Sequence, residues 1–104
     1  MDPERARELL AAERDRIERA LRRLRHEDTG EPADELNQGS DLYQDELNEG
    51  LADDLRAELD AVERAEGRLA AGTYGLSIES GQPIPDERLE VFPTAERTVE
   101  EEAR

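Results

Sequence analysis

The sequence predicts a mainly α fold: a long antiparallel helical hairpin, a coiled coil of two arms, followed by a small C-terminal head. Two apolar stripes at helical spacing, a cluster of turn formers between residues 28 and 41, and a change of texture at Thr73 carry that prediction. In the first arm, Asp2-Pro3 is a helix start, with Asp as N-cap and Pro at the first helical position. Ala6, Leu10, Ile17, Leu21 and Leu24 then recur at steps of 4, 7, 4 and 3, which place one stripe on a helix over residues 3–27. Glu and Arg fill the other faces, several at i, i+4 spacing.

Residues 28–41 contain Gly30, Pro32, Asn37, Gly39 and Ser40 and read as a break. A second stripe follows at Leu47, Leu51, Leu55, Leu59, Val62 and Leu69, predicting a helix over about 42–71. Ser40 or Asp41 caps its start, Gly67 weakens it by about 1 kcal/mol, and Gly72 ends it. Two long helices joined by a short break favour an antiparallel pair, each arm roughly 40 Å long at ~1.5 Å per residue. From Thr73 to Ile84, short apolar alternation around Ser80-Gly81 predicts a small β-hairpin. Pro85–Leu89 reads as a short helical turn, and Pro93-Thr94 as the start of a terminal helix with Thr94 as its cap. The organisation is therefore a hairpin over 1–71, with its tip loop at about 28–41, and a head over 72–104.

Composition narrows the function classes. The chain has 104 residues, a net charge of −15, 35% hydrophobic residues and three aromatic ones, which favours an elongated shape over a compact globule. Residues 28–54 hold ten acids and no basic residue. Such a chain lacks the basic footprint that nucleic acid or an anionic membrane requires; a basic protein surface is its natural partner. There is no cysteine, so neither a disulfide nor a thiolate metal site is expected. No signal-peptide core or membrane-length apolar run is present, so a cytoplasmic monomer is the expectation. Asp53-Asp54 and Glu100-Glu101-Glu102 lack an accompanying nucleophile, usable histidine or enclosed pocket. A solvated helix face explains them, and no enzyme is expected. His26, the single histidine, reads as a solvated helix residue, and no cofactor is implied.

Residues 68–99 are more specific. Gly72-Thr73-Tyr74-Gly75, then Gly81-Gln82-Pro83-Ile84-Pro85, Glu87-Arg88-Leu89 and Pro93-Thr94-Ala95, resemble in order the C-terminal zinc-finger segment of the DksA/TraR family. The helical arms match in pattern. In the family, two C-x2-C pairs hold zinc; the corresponding positions here are Ser77, Ser80, Thr98 and Glu101, with the spacing of two, seventeen and two residues intact. Two serines, a threonine and one carboxylate are not a structural zinc set, so the resemblance implies a zinc-less variant of the head. Ser77, Ser80 and Thr98 either hydrogen-bond where the metal would lie or face water. A structural zinc contributes roughly 10–16 kcal/mol in zinc-finger peptides. Burial of Leu76, Ile78, Ile84, Leu89, Val91, Phe92 and Val99 would contribute a comparable ~10–20 kcal/mol, which makes a hydrophobic replacement the expectation.

The resemblance further implies a bacterial transcription regulator that binds RNA polymerase and inserts an acidic tip into the secondary channel. The family tip pattern is Asp-x-x-Asp-x-Ala. Here Glu31 stands on the first acid, Asp34 on the second and Leu36 on the alanine, with Asp34 the one identity. Asp28, Asp41 and Asp45 are other candidates for the tip acid. Arg88, Arg97 and Arg104 are the only basic residues after residue 68, a poor set for the phosphates of guanosine tetraphosphate. The alternative function is a non-transcriptional protein–protein interaction module on the same hairpin scaffold.

Overall fold

The computed structural model describes residues 1–28 and 41–104. Helix α1 spans Pro3–Asp28 and α2 spans Asp41–Ala71. Two short helices follow, α3 over Asp86–Val91 and α4 over Val99–Glu102. The particle measures 53 × 31 × 21 Å, an elongated shape set by the two long helices. Among the described residues, no helix is long and apolar enough to cross a membrane.

The start of α1 is built as the sequence predicts. The Asp2 carboxylate accepts from the Arg5 N–H at 3.4 Å, and the Asp2 carbonyl accepts from the Ala6 N–H at 3.0 Å. The end of α2 is a Schellman turn. The Gly72 N–H donates to the Leu69 carbonyl at 3.2 Å and the Thr73 N–H to the Arg68 carbonyl at 2.8 Å. Gly72 has φ +81°, a left-handed conformation that a side chain would strain.

The arms pack through Ala6, Leu10 and Ile17 of α1 and Val62 and Ala65 of α2, all fully buried or nearly so. Arg14 pairs with Glu66 and Arg16 with Glu58, so the register runs antiparallel. The distal half of the seam differs from the expected stripe. Leu47 and Leu51 are 46% and 45% exposed, whereas Asn48 is buried. The reason is geometric. Each i→i+4 step overshoots a helical turn by about 40°, so Leu47, Leu51, Leu55 and Leu59 cannot all face one narrow seam. The seam instead follows the alternating four-and-three steps Asn48, Ala52, Leu55, Leu59 and Val62.

The head departs further. No β-hairpin forms: among the described residues there is no strand, only an isolated antiparallel bridge between Leu76 and Pro83. Pro83 and Pro85 have no N–H with which to extend a ladder. Gly75 and Gly81, both at positive φ, turn the chain on either side of the bridge. The terminal helix begins at Val99, not at Pro93-Thr94, and Thr98 is its cap. Thr94 is buried beside Ala95, whose N–H donates to the Phe92 carbonyl at 3.1 Å in a turn. The hydrophobic replacement for zinc is also absent. Of the seven expected side chains only Ile84 and Leu89 are buried, while Leu76, Ile78, Val91, Phe92 and Val99 are exposed. Ile84 and Leu89 form a small core with Ala95, against which Met1 and Tyr74 pack.

Candidate functional site

Glu31, Asp34 and Leu36 lie outside the described residues. Asp28 is the last residue of α1, and Asp41 and Asp45 lie in the first turns of α2.

Ser77, Thr98 and Glu101, by contrast, converge from parts of the chain more than twenty residues apart. Gly81, at φ +75°, closes a tight turn in which its N–H reaches the Ser77 carbonyl at 2.9 Å. That turn folds the Glu79 and Ser80 N–H groups onto the Ser77 hydroxyl oxygen, at 3.1 and 3.2 Å. The same hydroxyl donates to Glu101 Oε1 at 2.6 Å. On the other side, α4 opens with a reciprocal capping box: the Glu101 N–H donates to Thr98 Oγ1 at 3.2 Å, and the Thr98 N–H donates to Glu101 Oε1 at 2.9 Å. One carboxylate oxygen thus joins the Ser77 turn to the α4 cap. The Glu101 side chain is 7% exposed and Ser77 is 5% exposed. The hydrogen bond from the Ser77 hydroxyl, the nearby Ser80 hydroxyl and the hydrogen bond from the Thr98 amide hold the Glu101 carboxyl down at about 2. Ser80 is exposed, and its own hydroxyl accepts from the Gln82 N–H at 3.3 Å. Of the two readings left open for the hydroxyls, Ser77 and Thr98 follow the hydrogen-bonded one.

This donor set does not fit a structural zinc. It offers no thiolate and no imidazole, and its single carboxylate oxygen is engaged by a hydroxyl and an amide. Among the described residues, no group of three or more His, Cys, Asp or Glu side chains is placed to hold a metal.

Charged clamps between the head and the arms fix where the Ser77–Thr98–Glu101 cluster sits. Arg5 grips Glu90 through Nε and Nη2, one edge of its guanidinium, at 2.9 and 2.6 Å. The pairing raises the Arg5 pKa, and the Arg5 hydrogen bond holds Glu90 below the usual carboxylate range. Arg64 and Arg68 of α2 both meet Glu96 Oε2 at 3.1 Å. The Glu96 carbonyl accepts from the Ile78 N–H at 2.8 Å, so the clamp is continuous with the backbone that follows Ser77. The Tyr74 hydroxyl donates to the Pro93 carbonyl at 2.8 Å, and burial raises its pKa. A shallow groove of about 330 Å³ runs between arms and head, lined by Glu58, Arg64, Phe92 and Glu96 among others. Sequence reasoning missed these clamps. Arg5 and Glu90 lie 85 residues apart, and in a chain so rich in Arg and Glu no local pattern marks the pair.

No protein-family model matches the chain. Among solved structures, the transcription factor DksA2 from Pseudomonas aeruginosa superposes with a TM-score of 0.85 at 31% identity, over 100% of this chain and 84% of that one. The chain belongs to the DksA-like fold family. Its mainly helical make-up and the packing of α1 against α2 fit that fold. Among curated proteins, the chain is 40% identical over 63 residues to general stress protein 16O of Bacillus subtilis (strain 168), and 38% identical over 64 residues to the uncharacterized protein YteA of the same strain. The matches take in 60% and 62% of this chain but only 39% and 27% of those relatives. The chain therefore spans well under half the length of each.

Proposed function

We propose that this DksA-like chain is a transcription regulator that binds RNA polymerase, presenting the acidic tip of its hairpin to the secondary channel. The observation that carries this reading is the full-length match to a DksA2 transcription factor. On this reading residues 1–71 form the inserting arm, with its tip loop at about 28–41, and residues 72–104 form a head that stays outside. Glu31, Asp34 and Leu36 are the tip residues, and Asp34 carries the charge that acts. The protein works as a cytoplasmic monomer, with no cofactor and no catalytic step. Ser77, Ser80, Thr98 and Glu101 occupy the positions of former zinc ligands, and a hydrogen-bonded carboxylate now joins the two strands of chain that a metal would join.

The test separates binding from effect. The tip contributes little contact area, so Asp34→Asn, which keeps shape and removes charge, should bind polymerase within a few-fold of the parent. It should lose most of the transcriptional effect in a purified assay. Glu31→Gln should be milder. If neutralising every acid from Asp28 to Asp45 leaves regulation intact, the acidic-tip mechanism fails. Failure of the parent to co-purify with polymerase subunits would remove the polymerase reading and favour a non-transcriptional interaction module.

A further inference from the structure

The two arms are not held alike along their length. Near the head, Glu13 of α1 and Ala57 and Ala61 of α2 share a groove with Phe92 and Thr94 of the head. Among the described residues, every fully buried apolar side chain of the arms lies in this inner part: Ala6, Leu10, Ile17, Val62 and Ala65. The ion pairs between the arms lie there too, Arg14 with Glu63 and Glu66 and Arg16 with Glu58. The groove reaches out along α2 only to Ala57. Beyond it, Leu21 and Leu24 of α1 and Ala52 and Leu55 of α2 are half-buried. Leu47 and Leu51 are turned out of the seam, and the buried residue at this end is a polar one, Asn48. Among the described residues, no ion pair between the arms lies farther out than Arg16–Glu58.

The two outer stretches also differ as helices. On α1, Glu18–Arg25 reads ERALRRLR, strong helix formers throughout. Arg19 pairs with Asp15 at 2.9 Å, and Glu18 stands at favourable spacing before Arg22. The stretch continues a helix already anchored at Leu10 and Ile17, so it needs no new nucleus. On α2, Leu47–Asp54 reads LNEGLADD, in which Asn48, Gly50, Asp53 and Asp54 are weak helix formers. Glu49 and Asp53 are a like-charge pair at i, i+4, and the pair Asp53–Arg56 is exposed on both sides and adds little. The helix dipole favours acids only in the first turn of α2, which ends before Leu47. Packing does not demand Gly50, since a Cβ there would meet nothing within 4 Å. Asn48 takes a seam position, where a polar side chain costs stability relative to an apolar one.

We infer that Leu47–Asp54 of α2 is a strap that unwinds from α1 while α1 stays helical and the inner hairpin keeps its grip on the head. Asn48 and Gly50 set how readily it opens. Opening the strap uncovers half-buried seam side chains and leaves Arg14 and Arg16 paired with α2. Opening the inner hairpin would instead uncover Leu10, Ile17 and Val62 and release both arginines. Local opening takes the part of a fold with the fewest buried apolar contacts. Glu49, Asp53 and Asp54 therefore ride on a movable strand, opposite a fixed α1. The arm can fit its acidic side to a receiving surface without moving its head, whatever protein supplies that surface.

The experiment is hydrogen exchange of the full chain read by mass spectrometry, with each amide's protection taken relative to the unfolded sequence. Leu47–Asp54 should be protected roughly tenfold or more below both Glu18–Arg25 and the inner stretch Leu59–Glu66. Gly50→Ala should raise the protection of Leu47–Asp54 a few-fold. Asn48→Leu/Gly50→Ala should raise it roughly tenfold or more. Neither variant should change the head stretch Ile84–Ala95. Circular dichroism and sedimentation check that each variant is folded and monomeric like the parent. Gly50→Ala, which fills open space, carries the test alone if the double variant associates. Equal protection of the two outer stretches overturns the strap: if both are high, nothing opens, and if both are low, the outer arm opens as one. A parent gradient that survives both substitutions unchanged overturns the roles of Asn48 and Gly50.

Discussion

Glu101 works in the head through two contacts of one oxygen, a 2.6 Å hydrogen bond from the Ser77 hydroxyl and a 2.9 Å one from the Thr98 amide. Both are stronger when the carboxylate is ionised. Its carboxyl titrates at about 2 when folded, against an ordinary value of 4.5. A depressed pKa means that the contribution to stability is complete above about pH 4.5. It is lost as the pH falls through that value towards 2. Glu90, held low by Arg5, adds in the same direction. We expect thermal melts from pH 6 to pH 2 to show an acid limb that is shallower, but still present, in Glu101→Gln. An unchanged limb would deny Glu101 its role. Ser77→Ala should loosen the same joint at neutral pH. It leaves the Glu79 and Ser80 N–H groups without their acceptor, and such orphaned donors cost about 1–3 kcal/mol each when buried. Faster amide exchange of Glu79, Ser80 and Thr98 is the corresponding readout.

At the scale of elements, α2 carries two glycines, Gly50 and Gly67, in its helical interior. A Cβ built on either meets nothing within 4 Å. Gly67→Ala should therefore stabilise the chain by roughly 1 kcal/mol. That raises the melting midpoint by about 4–8 °C for a domain of this size, as scanning calorimetry would register. Leu10→Ala, at the most buried part of the seam, should cost about 2–5 kcal/mol. The long helices were legible from sequence because each is periodic over many turns and is bounded by Asp2-Pro3 or Gly72. The seam was legible only in its proximal half, since a run of leucines every four residues imitates a stripe while drifting round the helix. The short elements were less legible. The alternation in Thr73–Ile84 signals strands, but prolines and left-handed glycines break the ladder after one bridge. The sequence reading puts the α4 cap four residues early, at Thr94 after Pro93. The Thr98-x-x-Glu101 spacing of a capping box, which Thr94-x-x-Arg97 lacks, is the signal that marks the observed start.

For the whole molecule, the head is held to the arms by charge as much as by apolar contact: Ile84, Leu89 and Ala95 are a small core, and Glu90 and Glu96 tie it to α1 and α2. Glu96→Ala releases both Arg64 and Arg68, the latter largely buried. It should cost about 1–3 kcal/mol and broaden the head–arm distance distribution measured between spin labels. Ser77, Ser80, Thr98 and Glu101 were singled out in the sequence through the family resemblance. The hydrogen bond that joins Ser77 to Glu101 was not legible there, because it is a contact across 24 residues between two ordinary side chains. On the zinc-less reading, purified protein should contain no stoichiometric zinc, and chelator should leave its melting unchanged. The quadruple substitution Ser77→Cys/Ser80→Cys/Thr98→Cys/Glu101→Cys should take up one zinc per chain by elemental analysis. Failure to do so would place the ancestral register elsewhere.

The Ser77–Thr98–Glu101 joint also constrains how this sequence can change over generations. Its parts are useful only together: a cysteine at position 77 is a weaker donor to Glu101, and a cysteine at 101 removes the acceptor that both Ser77 and the Thr98 amide address. Each single step towards a thiolate set therefore loses hydrogen bonds before any metal can bind, since a structural tetrahedral zinc site needs all four ligands. Strong non-additivity is expected among these positions, as among any residues that share one network. Substituting these positions one at a time therefore weakens the hydrogen-bonded head before any four-thiolate set is complete.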